Sequence, residues 1–104
     1  METAQQQTDI ASMIPHETTL THAATIGIKY DKPIMLDYYL FAKQKKCRLV
    51  KTQEKDTILY KGNQEYTSPL QKLFKIDSSQ RSDGCDVLAI SENSIYIVHS
   101  NIVG

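Results

Sequence analysis

Along this 104-residue chain the apolar positions change their spacing several times, and each change marks a candidate element. From Thr19 the run TLTHAATIGIKY sets Ala24, Ile26, Ile28 and Tyr30 on one alternating face and Thr25, Gly27 and Lys29 on the other. Alternation of this kind predicts a half-buried strand. Asp31-Lys32-Pro33 ends it, because proline removes a ladder donor and biases the residue before it toward extended geometry. In the next run, IMLDYYLFAKQKK, Ile34, Leu36, Tyr38 and Leu40 alternate as in a strand, while Ile34, Tyr38 and Phe41 also fit helical spacing; its aromatic content favours a strand.

CRLVKT and TILYK are short and alternating, are separated by the polar turn QEKD, and are closed by Gly62-Asn63, so they read as a hairpin. EYTSPLQKLFKID supports two readings equally. Ser68 and Pro69 could open a helix carrying Leu70, Leu73 and Phe74, or Leu70, Phe74 and Ile76 could lie on a strand. DSSQRSDGCD (77–86) reads as a loop. DVLAI and SIYIVHSNIV then flank the polar turn Ser91 to Ser94 and predict a second hairpin, with Val87 and Leu88 facing Ile95, Ile97 and Val98.

Residues 1–18, METAQQQTDIASMIPHET, are polar, with Ile10, Met13 and Ile14 as their sizeable apolar groups. Three such groups are too few to offset the entropy of ordering the backbone. The segment reads as a flexible N-terminal arm that orders by docking Ile10, Met13 and Ile14 on a partner, with one β-rich domain over 19–104. The fold class expected is therefore mainly β: a small antiparallel barrel or sandwich with room for one short helix, behind an extended N-terminal arm.

Charge adds detail that composition alone hides. Twelve basic and twelve acidic residues cancel, which removes any global argument for binding nucleic acid or an anionic membrane. Residues 43–75, however, hold nine basic side chains against three acidic ones, and the remainder holds three against nine. Lys43, Lys45, Lys46, Arg48 and Lys51 crowd one stretch followed by Tyr60 and Tyr66, a pattern that could track phosphates and stack bases. Lysines that guard a sheet edge from pairing explain the same pattern.

Candidate chemistry is sparse. His16, His22 and His99 share no metal-ligand spacing, Cys47 and Cys85 have no second cysteine beside them, and there is no nucleophile elbow or glycine-rich phosphate loop. The expectation is a non-enzymatic protein with two free thiols, no metal and no cofactor. No window is apolar enough for a membrane span, and the start METAQQQTD lacks the regions of a signal peptide, so an intracellular site is expected.

The segments DKPIMLDYY (Asp31 to Tyr39), EYTSPLQKLFKI (Glu65 to Ile76) and SENSIYIV (Ser91 to Val98) resemble a small, uncharacterised protein family of nucleocytoplasmic large DNA viruses. The resemblance spans about two thirds of the chain and leaves the Gln-rich arm and the 77–86 segment unmatched. It implies a viral structural protein of the minor-capsid kind, made in the host cytoplasm and packaged in the virion. Its partners would be other virion proteins, such as a major capsid protein or copies of itself, and it carries no catalytic signature. The alternative function, from the residues, is a nucleic-acid-binding module using 43–61.

Overall fold

The computed structural model describes residues 13–62 and 64–102. The described chain is mainly β, with seven strands, two α-helices and a closing 3-10 turn. The segment read as the first strand is instead the helix α1, Glu17–Tyr30. Its buried stripe is Thr19 and Ala23, continued by Leu20 and Ile26, which is helical spacing; Ile28 and Tyr30, from the alternating set, are 85% and 58% exposed. Local signals support the helix. His16 Nδ1 accepts the Thr18 backbone N–H at 3.1 Å, Glu17 and Lys29 suit the two ends of the helix dipole, and Asp31 closes the helix in the left-handed region. Alternation misled here because the helical stripe runs through Thr19 and the small Ala23, a weaker apolar signal than the alternating Ala24, Ile26, Ile28 and Tyr30, and packing against a sheet selected that stripe.

The next run divides. Ile34–Met35 forms β1, and Tyr39–Lys43 forms the short helix α2, so the strand expected across this run survives only at its start. β2 (Arg48–Lys51) and β3 (Thr57–Gly62) form the expected hairpin, with Arg48 opposite Tyr60 and Lys51 opposite Thr57. β4 (Glu65–Tyr66) joins β3 after a bulge, giving a three-stranded sheet in the order β2-β3-β4.

β5 (Leu70–Arg81), β6 (Gly84–Ser91) and β7 (Ile95–His99) build the larger sheet, with β1 added in parallel beside β7 in the order β1-β7-β6-β5. The two-way reading of residues 69–76 thus resolves as strand. The expected 77–86 loop shrinks to Ser82 and Asp83. Its polar residues stay in the ladder because Ser79 turns inward: its hydroxyl donates to the Ile76 carbonyl and accepts the Asp86 N–H at 2.7 Å, bridging the irregular register between Ile76 and Arg81. The C-terminal hairpin is as expected, with Val87 opposite Val98, Leu88 opposite Ile97 and Ile90 opposite Ile95. The turn Ser100–Ile102 follows β7.

Alternation on β6 and β7 gives the larger sheet two apolar faces. Leu88, Ile90, Ile95 and Ile97 pack with Ile76 beneath α1, and Val87, Ala89 and Val98 pack beneath Ala42, Leu59 and Ile102. The result is α1, the four-stranded sheet, and then the small sheet with α2. Among the described residues no closed barrel forms, and the β1–β7 pair is parallel rather than antiparallel. Among the described residues no helix is long and apolar enough to cross a membrane.

Candidate functional site

Three surfaces or clusters hold the residues with chemical potential. The first is buried and centres on Asp86. Its Oδ2 accepts the His16 N–H at 2.8 Å and the Thr19 hydroxyl at 2.7 Å, and its Oδ1 accepts the Tyr39 phenol at 2.7 Å. One carboxylate therefore ties the start of α1 and the start of α2 to the sheet. The Tyr39 phenol is pushed well above its ordinary value, first by burial and then by this bond to Asp86, so it remains a donor.

Opposite Asp86 on β7 stands His99, 1% exposed. Its Nδ1 accepts the Asn101 N–H at 3.2 Å, which puts the proton on Nε2. Nε2 lies 3.5 Å from Asp83 Oδ1 but has no hydrogen-bond partner. Burial, aided by Lys43, pulls the His99 imidazole below its ordinary value, against the pull of Asp83 and Asp86 in the other direction. Lys43 Nζ pairs with Asp83 at 3.2 Å, and that contact, together with His99, outweighs the burial that would raise the Asp83 carboxyl and holds it low.

The second surface is a groove of about 520 Å³ between α2 and the small sheet, lined by Phe41, Lys45, Lys46, Arg48, Tyr60 and Lys61 together with Gly62. It gathers three of the five basic residues singled out from the sequence. Lys43 is directed to Asp83 instead, and Lys51 is exposed at the far end of β2. The Arg48 guanidinium lies 6.0 Å from the Tyr60 ring centre, its cross-strand partner. Lys61 joins the lining from β3, but it is shared among Asp37 and Glu65, each at 3.4 Å, and the Tyr38 and Phe41 rings at 4.6 and 5.0 Å. Burial alone would lower the Lys61 ammonium; the two carboxylates more than reverse that and raise it. The sequence showed Lys61 as one more basic residue, and only the pairing of β2 with β3 brings it to the groove.

The third surface is the seam between α1 and β5. Two adjoining depressions, about 390 and 430 Å³, share Ile26 and Phe74; Tyr30 and Ile90 extend the apolar floor of the first. Lys29, Lys32 and Lys72 line the first depression without an acidic residue, and His22, Lys75 and Asp77 line the second. On β5, Phe74 in the seam is 40% exposed, and Leu73, on the opposite face of the sheet, is 44% exposed.

The remaining candidates fall as follows. Met13 and Ile14 are exposed, at 46% and 44%, and Ile10 lies outside the described residues. α1 begins at Glu17, inside the segment read as the arm; Pro15 is buried, and His16 is bound to Asp86. Cys47 and Cys85 are free and buried. Burial pushes the Cys47 thiol up to about 11, with Lys61 opposing, so it is protonated at neutral pH and a poor nucleophile. Among the described residues no three His, Cys, Asp or Glu side chains gather as a metal site. Compared with protein-family models, curated proteins and solved structures, the chain matches none.

Proposed function

We propose that this domain is a non-enzymatic structural component that acts through protein–protein contacts, in the setting of a large DNA virus virion. The observation that carries the reading is the terminal strand β5, twelve residues long, which exposes Phe74 beside the apolar seam with α1 and Leu73 on the opposite face. Exposed apolar groups clustered on a sheet edge favour association. The buried polar groups support the same reading, since Asp86, Tyr39, Thr19 and Ser79 are engaged in holding helices and strands together. The resemblance of residues 31–39, 65–76 and 91–98 supplies the viral setting.

A second reading has its own observation. Lys45, Lys46 and Arg48 share one groove with Tyr60, which suits a polyanion. Cross-linking and mass spectrometry of purified particles, paired with retention of the isolated protein on single-stranded DNA, separates the two. The first reading expects the chain in the particle with cross-links to a structural protein. Absence from the particle together with DNA retention that falls steeply with salt transfers the function to the Lys45–Arg48 groove.

A further inference from the structure

We propose that the protein forms a symmetric dimer through the outer edge of β5, which pairs antiparallel with β5 of a second copy, with Ile76 on the two-fold axis. This rests on the reading of the domain as a protein-contact component and names the contact as one between copies of the chain. β5 is the last strand of its sheet: Lys72 to Ile76 pair on one side with Ile90 to Asp86, and among the described residues no strand pairs with the other side. An unpaired strand edge is a template for one more strand. The exposed side chains call for a strand in particular. Leu73 and Phe74 are 44% and 40% exposed on opposite faces, beside Ala89 and Leu88 of β6. A ligand seated in the α1 seam would cover Phe74 alone, whereas a neighbouring strand carries side chains on both faces and covers the two together.

Charge selects the occupant and the register. A two-fold centred on a residue keeps the two faces of the sheet continuous, because residues equally far before and after the centre then meet on one face. β5 remains a strand to Arg81, past the irregular register with β6 that follows Ile76. On it Lys75 and Asp77 are exposed, stand two residues apart, and form no ion pair among the described residues. Centring on Ile76 sets Lys75 opposite the partner's Asp77 and Asp77 opposite the partner's Lys75, with Lys72 opposite the partner's Gln80. Centring on Lys75 or on Asp77 would oppose like charges, and centring on Phe74 would leave Lys75 facing the partner's Leu73. The edge is thus complementary to itself in one register, while its lysines deter the others.

Sedimentation velocity of the full chain between about 1 µM and 1 mM tests this, with each variant's melting temperature compared with that of the wild type at the low end. We expect a concentration-dependent dimer. Lys75→Asp and Asp77→Lys each oppose like charges twice across the axis, so each should weaken the dimer at least about tenfold. Mixing the two single variants gives every charge its opposite again and should restore association to within about threefold of the wild type, as should combining both changes in one chain. Leu73→Ser and Phe74→Ser should each weaken the dimer, since the added strand covers both faces. A chain that stays monomeric throughout the range overturns the proposal. So does a dimer indifferent to the single charge variants, or one that the mixture fails to restore, because the contact then lies on another surface or in another register. A monomer that still cross-links to virion proteins leaves the structural role standing without this dimer; a dimer formed by a chain absent from particles keeps the β5 contact and removes the virion setting alone.

Discussion

Tyr39 and Asp86 lie 47 positions apart in sequence, and the phenol of one donates to Oδ1 of the other at 2.7 Å inside the protein. This bond fixes the start of α2 against β6, while the other carboxylate oxygen holds Thr19 and the His16 N–H. Removing the phenol leaves that acceptor short of a partner in a buried site. Tyr39→Phe should therefore cost about 2 kcal/mol, the scale of a buried hydrogen bond to a charged group. A double-mutant cycle in urea with Thr19→Val should show coupling, because both donors share one carboxylate. Additive losses would mean that Asp86 does not act as a common anchor.

Stability should depend on pH through His99. Its folded value is depressed below the ordinary 6.5, first by burial, so near and below that value the unfolded chain binds more protons than the folded one. The contribution of neutral His99 is complete above 6.5 and is lost as pH falls through the folded value. Melting temperature should fall from pH 7 toward pH 5, and His99→Gln should flatten that slope. An unchanged slope in the variant would place the acid sensitivity elsewhere.

Two glycines separate strain from collision. Gly84 has φ +130°, and a Cβ there would strike Ser100 Oγ and come within 2.8 Å of His99 Cε1. Gly62 has φ +92° with open space around the added atom. Gly62→Ala should cost about 1 kcal/mol, from backbone strain alone, and Gly84→Ala at least about 3 kcal/mol. Equal losses in chemical denaturation would contradict the close packing of the β5–β6 turn against β7.

The identity of α1 can be tested with a charge. Ile97 is 0% exposed and Ile28 is 85% exposed, although both belong to alternating apolar runs in the sequence. Ile97→Asp should unfold the domain by burying an unpaired carboxylate, whereas Ile28→Asp should change stability by less than about 0.5 kcal/mol. Loss of folding in the Ile28 variant, followed by circular dichroism, would return residues 19–30 to a strand.

Both hairpins were legible in the sequence because each is closed by local chemistry: QEKD between β2 and β3, and the Ser91 to Ser94 turn between β6 and β7, join segments whose period of two already points one face inward. The crowding of basic residues over 43–51 was legible too, since charge can be counted without a fold. Tertiary structure decided the rest. Only the sheet beneath it selects the helical stripe Thr19, Ala23, Ile26 over the alternating set in α1, and only β7 makes Ile34–Met35 a parallel strand across some sixty positions of sequence. Ser79 keeps a polar stretch in the ladder by bonding to residues on two strands, Ile76 and Asp86. The α1–β5 seam likewise unites Ile26 with Phe74, far apart in sequence. Turns and periodicity are written within a few residues, but which apolar faces meet, and which buried donors share a carboxylate, depends on contacts between distant segments whose free energy exists only once the chain has folded.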